Sequence, residues 1–394
     1  MNLTKESLLK LHDIEIRKDS KHYIVEDLAT QEFYEMPKVC VDALNLIKQG
    51  LNLGEIEERL IKTFPDEEIN LLDFGDQLIE LNLIQSVNGE EIERSHDKNK
   101  LGFEWISPKF GKIFFNKYTS YLYGLIFLAN IGIFCLQPSL FPHYTDLFVF
   151  DIMSLNVLVI GIISLILVLI HESGHIIAIR SFGLPTRLDI GHRLYLIVFE
   201  TDLSLAWKLS PEKRNILYLA GVCFDTVILF FALILQMFLP IQSSFLTGLL
   251  GLVVFDVIVR IIYQACIYMK TDFYFLFENM TGTYNLMENG IFFLKGLFSR
   301  SKVKNKELFH GEERIVTVYS FFYVIGVGIT IGLFFIYYLP QLIYMATKML
   351  PGYLEPITDP IFWDAILFTA QILVIVGFLT FSFYKSYYKK NVEN

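Results

Sequence analysis

The feature that most constrains this chain is a metal-binding pattern inside an apolar stretch. Residues 171–175 read His-Glu-Ser-Gly-His, and Glu172 is the only acidic or basic residue besides the two histidines in residues 155–179. At about 1.5 Å per residue, a helix of that length crosses a bilayer. Positions four apart share one helix face, so His171 and His175 can bind one zinc ion, and the adjacent Glu172 can reach a water at that zinc. This pattern is typical of a peptide-bond hydrolase.

An inert polar cluster within the membrane is the alternative. Ionisable side chains in a membrane span are costly and usually functional, which favours a metal site. The small residues Ser173 and Gly174 lie between the histidines, so another helix or a substrate backbone can approach closely there.

Composition places the chain among polytopic membrane proteins that carry a soluble part. Of 394 residues, 53% are hydrophobic. The net charge of −9 argues against nucleic acid as a partner. The cysteines lie far apart and are predicted to be free thiols. Residues 1–26 are charged and lack an apolar core, so no secretory signal peptide is expected.

Residues 1–95 are predicted to form a small soluble α+β domain. Short strand patterns at 13–17, 22–26 and 31–35 precede helical patterns that begin at Pro37, at 53–64 and at 67–81, and residues 83–87 suit a closing strand. This order is winged-helix-like. A generic α+β domain that only stabilises the chain is the alternative.

The order and size of this domain resemble the pyrroloquinoline-quinone-synthesis type of peptide chaperone, a leader-peptide recognition domain of peptide-maturation clusters. The resemblance implies that a leader peptide binds as an added strand, which agrees with the physics of sheet-edge pairing.

Residues 96–117 are interpreted as a polar linker, and about six membrane spans follow. The predicted spans are 118–136, 153–179, 216–239, 245–269, 316–339 and 361–383. The fold class is therefore a polytopic α-helical membrane protein with a small N-terminal winged-helix-like domain. Residues 118–290 are assigned to the metal-binding core, and 291–394 to a cytoplasmic loop and two C-terminal spans.

Basic residues predict the orientation in the cell membrane. Loops on one side hold nearly all of them, whereas the opposite loops hold only Lys348. By the positive-inside rule both termini face the cytoplasm, and the motif lies in the cytoplasmic part of its span, near Arg180.

Two histidines leave zinc without a third protein ligand. The candidates near the membrane are His192, Asp225, Asp256 and Asp272. Asp256 is four residues from Arg260 and is expected to pair with it, His192 is expected in an exposed hairpin loop, and Asp225 is either a ligand or a packing polar residue. Asp272 is the best placed, because it lies at the predicted depth of His175.

The motif together with Lys270-Thr271-Asp272-Phe273-Tyr274 resembles the site-2 protease family of intramembrane zinc metalloproteases, and most of all its peptide-maturation branch. That branch typically has Asp-Gly-Tyr where this chain has Phe273 after the aspartate. The resemblance implies His171, His175 and Asp272 as zinc ligands and Glu172 as the catalytic base.

Residues 186–204 are predicted to form a two-stranded hairpin beside the site, whose edge holds an extended substrate; a simple connector is the alternative.

Three functions are compatible with the sequence. The first is a membrane zinc endopeptidase that matures a ribosomally made peptide, such as a bacteriocin precursor, by leader removal. The second is regulated intramembrane proteolysis of a membrane-anchored regulator. The third is a non-catalytic peptide-binding, export or immunity protein, against which the intact Glu172 argues. The sequence identifies neither the substrate nor the oligomeric state.

Overall fold

The computed structural model describes residues 3–19, 21–65, 67–93, 102–193, 196–238, 244–298 and 312–392. The chain forms two compact units. The N-terminal unit comprises Met1–Leu101 and Ser204–Arg214, and the second unit comprises Gly102–Leu203 and Asn215–Asn394.

The N-terminal unit contains small antiparallel sheets and three helices. Its elements are β1 (Leu9–Leu11), β2 (Ile14–Asp19), β3 (His22–Asp27), β4 (Phe33–Met36), α1 (Lys38–Lys48), α2 (Leu53–Thr63), α3 (Leu71–Glu80), β5 (Ile84–Val87) and β6 (Glu90–Glu91). Strands β2, β3 and β4 form one sheet, and β1, β5 and β6 form another. The predicted order of strands and helices is confirmed.

Two details of this unit differ from the sequence expectation. Helix α3 starts at Leu71 rather than at 67, because the side chain of Asn70 accepts hydrogen bonds from the next turn and caps the helix there. Strand β1 was not predicted. It is only three residues long and pairs with β5, so that Leu9 lies opposite Val87, and no turn signal links strands so far apart in sequence.

Residues 204–214 complete the N-terminal unit through buried charge. Arg214 is fully buried, its Nη2 lies 2.6 Å from Asp19 Oδ2, and its guanidinium group lies over the ring of Trp207. Lys208 Nζ lies 2.8 Å from Glu26 Oε1. Breaking a buried ion pair is costly, so this segment belongs to the folded domain rather than to a loose connection.

The second unit is mostly helical. Its elements are α4 (Pro108–Phe114), α5 (Lys117–Leu136), α6 (Met153–Ser181), β7 (Leu188–Arg193), β8 (Leu196–Thr201), α7 (Pro211–Phe238), α8 (Ser244–Gln264), α9 (Asp272–Thr281), α10 (Leu286–Phe298), α11 (Glu313–Leu333), α12 (Leu339–Met349) and α13 (Pro360–Val392). The first turn of α7 belongs to the N-terminal unit. Strands β7 and β8 form the predicted hairpin.

Within the described residues, six helical segments are long and apolar enough to cross a membrane, as predicted. They are Pro108–Leu136, Met153–Ser181, Pro211–Phe238, Phe245–Gln264, Glu313–Leu354 and Pro360–Phe381. The fifth is longer than predicted because the helix continues past Pro340. A π-helical segment, Phe334–Tyr338, precedes this proline and accommodates its missing N–H.

Residues 102–116, interpreted as linker, are an ordered part of the second unit. Arg180 near the end of α6 donates through Nε to the carbonyl of Ile106 and through Nη2 to that of Glu104. Gly111 in α4 has room for no side chain, because a Cβ there would lie 2.7 Å from backbone atoms of Ile177 and Ser181. Helix α4 therefore packs directly on the helix that carries the motif.

The other end of α6 is capped by the last long helix. The backbone N–H groups of Met153 and Ser154 both donate to the carboxylate of Asp364 in α13, at 2.8 Å. A carboxylate at a helix N-terminus satisfies free N–H groups and opposes the helix dipole. The C-terminal helices, for which the sequence offered no motif, thus fix one end of α6.

An apolar core joins the central helices. Leu167 of α6 packs with Leu229 and Leu233 of α7 and with Val254 and Val257 of α8, all of them buried. Burial of this kind fixes how the three helices face one another, and so sets the geometry of the site below. The four cysteines of the chain are free, as predicted.

Candidate metal centre

The two motif histidines are buried, and their hydrogen bonds determine which ring nitrogens are free. His175 Nδ1 lies 2.8 Å from the carbonyl oxygen of Leu217, which can only accept, so Nδ1 carries the proton. His171 Nδ1 lies 2.7 Å from Asp225 Oδ2 and donates to it in the same way. In neutral imidazoles both Nε2 atoms then keep a free lone pair.

The two free nitrogens and one carboxylate oxygen converge on a single point. His171 Nε2 and His175 Nε2 are 3.3 Å apart, and Asp272 Oδ2 lies 3.1 Å from the first and 3.4 Å from the second. Ligands about 2.0–2.1 Å from a tetrahedral metal are about 3.3–3.4 Å from each other. The triangle therefore has the dimensions of three corners of a tetrahedral site.

Three acceptor atoms this close repel one another unless a cation lies between them. A metal ion or added protons would both supply positive charge. Burial by itself would raise the pKa of Asp272, but positive charge at the facing imidazoles outweighs burial and lowers it. The donor set of two imidazoles and one carboxylate suits zinc, so the residues present fit such an ion.

Asp272 reaches the histidines because of a sharp turn after α8. Lys270 adopts a left-handed conformation with φ of 52°, and α9 starts two residues later at Asp272. Gln264 at the end of α8 then holds Asp272 on two sides. Its Nε2 donates to Asp272 Oδ2 at 3.0 Å, and its Oε1 accepts from the Asp272 N–H at 3.1 Å.

Glu172 lies beside this triangle and is held by the end of strand β8. One of its carboxylate oxygens lies within 4.8 Å of a ring nitrogen of each motif histidine. Both the N–H and the hydroxyl of Thr201 donate to Glu172 Oε2 at 2.8 Å. Asp272 rather than Glu172 completes the triangle, because Asp272 Oδ2 lies 3.1 and 3.4 Å from the two Nε2 atoms, whereas the group that contains Glu172 is held together only within 4.8 Å.

Two glycines allow α6 and α7 to approach at the site. A Cβ on Gly174 would lie 2.6 Å from the carbonyl oxygen of Ala220, and a Cβ on Gly221 would lie 2.4 Å from His171 Nε2 and 2.6 Å from His175 Nε2. The expectation that the small residues after Glu172 admit another helix is confirmed for Gly174. Gly221 keeps the space beside the metal-facing nitrogens clear.

The other candidate ligands have different positions. Asp225 bonds the Nδ1 face of His171, so it orients the ring instead of facing the convergence point. Asp256 pairs with Arg260, as predicted, and also accepts from the hydroxyl of Ser164. His192 lies in strand β7, paired with Ile197, and its side chain lies outside what the structure describes.

A cavity of about 530 Å³ opens next to the site. His171, Glu172 and Asp272 line one part of it, and Asp256 and Arg260 line another. Val198 and Phe199 of β8 also contribute to its wall. The hairpin therefore borders the space in which a ligand of the site would lie.

Sequence reasoning missed Thr201, Gln264 and the role of Gly221. Thr201 carries no pattern that marks contact with Glu172, because its position depends on how the hairpin packs. Gln264 could have been noticed as a polar residue at the end of an apolar span, eight residues before Asp272.

Comparison of the chain with protein-family models, with curated protein sequences and with solved structures found no significant match to any of them.

Proposed function

We propose that this chain is an intramembrane zinc metalloendopeptidase that cleaves a peptide precursor. The observation that carries the proposal is the convergence of His171 Nε2, His175 Nε2 and Asp272 Oδ2 at mutual distances of 3.1–3.4 Å, beside the carboxylate of Glu172 and a cavity. A purely structural role would be met by a simple ion pair between one histidine and one carboxylate. The convergence of three buried groups therefore supports a metal site.

The protein residues divide into ligands, a base and supports. His171, His175 and Asp272 hold the metal, Asp225 orients His171, and Leu217 fixes the ring of His175. When bound, zinc polarises a carbonyl oxygen and lowers the pKa of water to near neutrality. Because two imidazoles and one carboxylate are the protein ligands, one position is left for water or substrate.

Glu172 is the general base. Thr201 binds only its Oε2, so Oε1 has no partner among the hydrogen bonds of the described residues and can accept a proton from the attacking water. The Thr201 contact also limits rotation of the carboxylate. A fixed base close to the reacting water contributes through orientation as well as basicity.

The substrate is a peptide in extended form. Proteolysis requires a straightened backbone, and the edge of hairpin β7–β8 can pair with it, since Val198 and Phe199 already line the cavity. Thr201, the last residue of β8, donates to the carboxylate of Glu172. A peptide paired along β8 would therefore run directly toward the base.

The N-terminal unit is proposed to recognise the leader of that precursor. Its element order is β-β-β-β-α-α-α-β-β, in which the run from β2 to β5 is winged-helix-like. The sheet formed by β2, β3 and β4 has edge strands, β2 and β4, that can take an added strand. A ribosomally made peptide with a leader segment is therefore the proposed substrate. The protein lies in the cell membrane with both termini in the cytoplasm, as the distribution of basic residues indicates.

The test combines metal analysis with cleavage mapping on the full-length protein in lipid nanodiscs. Wild type should hold one zinc per chain, and His171→Ala, His175→Ala and Asp272→Ala should lose most of it. Glu172→Gln should keep the zinc and the fold but lose cleavage by about 10²–10⁴-fold, because an amide cannot accept the proton.

The protein is incubated with a proteome-derived peptide library, to which the peptides encoded by short reading frames beside its gene have been added. Cleavage is then detected by mass spectrometry as new peptide ends. New ends that form with wild type but not with Glu172→Gln support the proposal. Wild type without zinc, or Glu172→Gln as active as wild type, contradicts it. Zinc without any new ends would favour a non-catalytic peptide-binding protein.

A further inference from the structure

The cavity beside the metal centre contains an arginine whose hydrogen-bonding capacity is only partly used. Arg260 Nη2 donates to Asp256 Oδ1, while Arg260 Nη1 has no hydrogen-bond partner among the residues that the structure describes. Both residues line the cavity that also contains His171, Glu172 and Asp272. The guanidinium group carries five N–H donors, so most of them are not used by the pair.

Both carboxylate oxygens of Asp256, the partner of Arg260, already accept a hydrogen bond. Asp256 Oδ1 accepts from Arg260, and Asp256 Oδ2 accepts from the hydroxyl of Ser164 on α6. The pair is neutral as a whole. A ligand carboxylate brought to Arg260 would meet the charge of Asp256, whereas an uncharged acceptor such as a peptide carbonyl would not.

The position of Arg260 relates it to the site of cleavage. It precedes Gln264 by four residues on α8, and Gln264 donates to Asp272. Arg260 also lines the cavity that His171, Glu172 and Asp272 line, so a peptide bound at the metal would lie in the space that Arg260 borders.

We propose that Arg260 binds a backbone carbonyl oxygen of the substrate, and that Asp256 and Ser164 hold it for this purpose. The inference rests on the proposed peptidase function and adds a substrate-binding residue to it. Arg260 lines the cavity and uses one of its nitrogens to bind Asp256, so its remaining donors are the ones left for a ligand there.

The probes are hydroxamates, which bind the metal and differ in what they place in the cavity. Acetohydroxamate occupies the metal alone. Ac-Leu-Ala-Leu-hydroxamate adds peptide carbonyls, and its reduced-amide analogues replace one carbonyl at a time with a methylene. Binding to the zinc-loaded, full-length protein is measured by calorimetry, and zinc content is measured for each variant.

Arg260→Gln should weaken the peptide hydroxamate by roughly 10- to 100-fold, the expected loss for a hydrogen bond to a charged group, and leave acetohydroxamate unchanged. One reduced-amide analogue should bind wild type as weakly as the peptide hydroxamate binds Arg260→Gln. The variant should cause no further loss with that analogue, because the same contact is already gone.

A purely structural pair predicts a different pattern. Removing one partner of a buried pair destabilises a protein, but replacing both by apolar residues is often neutral. The double variant Asp256→Leu with Arg260→Met therefore serves as a control for folding. If Arg260 binds substrate, this variant regains thermal stability and zinc but still binds the peptide hydroxamate weakly.

The outcomes separate the two proposals. If acetohydroxamate fails to bind wild type, the metallopeptidase proposal falls and the role of Arg260 falls with it. If both hydroxamates bind wild type but Arg260→Gln changes neither, or weakens both equally, only the role of Arg260 is overturned. Recovery of peptide hydroxamate binding in the double variant also overturns it.

Discussion

Two clusters of ionisable side chains line the same cavity, and they satisfy their charges in opposite ways. In the first, Asp256 and Arg260 neutralise each other within one turn of α8, and the hydroxyl of Ser164 donates to the other carboxylate oxygen of Asp256. In the second, His171, His175 and Asp272 present three acceptor atoms to one another at 3.1–3.4 Å.

The difference shows what kind of partner each cluster needs. The first is complete without an added charge, so any ligand it takes should be neutral. The second needs positive charge between its three acceptor atoms, from a metal ion or from added protons. The hydrogen-bond partners of the two clusters differ in the same way. The Nδ1 atoms of both histidines are fixed by acceptors outside the cluster, whereas Arg260 keeps unused donors.

The largest expected effect comes from filling the space beside the metal-facing nitrogens. A Cβ on Gly221 would lie 2.4 Å from His171 Nε2 and 2.6 Å from His175 Nε2, closer than real Cβ contacts allow. Gly221→Ala should therefore abolish zinc binding and cleavage, at least 100-fold, by displacing the rings rather than by removing a ligand.

The matched control is Gly161→Ala on α6, where a Cβ meets nothing within 4 Å. It should keep zinc, cleavage and thermal stability. Zinc content is measured by mass spectrometry on protein that elutes as a single species in detergent. Full zinc in Gly221→Ala would mean that the metal does not bind where the two Nε2 atoms converge.

A smaller effect is expected for the acid behind His171. Asp225→Asn can still accept the hydrogen bond from His171 Nδ1, so the ring stays in place, but the loss of charge makes the ring a weaker ligand. Zinc affinity, measured by competition with a chelator, should fall by about 10- to 100-fold.

Asp256→Asn provides the comparison within the cavity, because it neutralises a partly buried aspartate that is bonded to Arg260 and Ser164 instead of an imidazole. It should leave zinc affinity unchanged, although it weakens the pair with Arg260. Equal zinc loss in the two variants would point to general charge in the cavity rather than to the contact between Asp225 and His171.

Sequence and structure agree where the information is local. The spacing of His171 and His175 fixes one face of one helix, and the four-residue separation of Asp256 and Arg260 predicts their pair. Asp272 could be proposed from depth in the membrane. The role of Asp225 could not be decided, because its meeting His171 at Nδ1 instead of Nε2 depends on how closely α7 approaches α6.

The same limit explains the remaining surprises. The contact of Thr201 with Glu172 and the capping of α6 by Asp364 join residues 29 and 210 or more positions apart. No periodicity carries such contacts. Helix α4 was interpreted as linker because its lysines are polar, although Gly111 allows it to pack against α6.

Glu278 on α9, a buried acid away from the metal-facing atoms, gives the smallest and most specific prediction. It is held by uncharged donors: the hydroxyl of Tyr274 and the N–H of Leu286 both donate to its Oε1. Burial raises its pKa from 4.5 to about 7. The nearby charges of Lys270 and Glu288 pair with each other at 2.7 Å and largely cancel.

The raised pKa predicts how stability depends on pH. The folded state favours the protonated carboxyl, so its stabilisation is complete below about pH 4.5 and is lost as the pH rises through about 7. The loss is on the order of 1–3 kcal/mol. Wild-type thermal midpoints should fall between pH 5 and pH 8, and those of Glu278→Gln should fall less, because the amide oxygen still accepts both hydrogen bonds and never ionises.

The measurement is a thermal melt at saturating zinc, so that protonation of the metal ligands does not contribute. Equal slopes for the two proteins would mean that Glu278 is ionised throughout and that its neutral donors are enough to stabilise a buried charge.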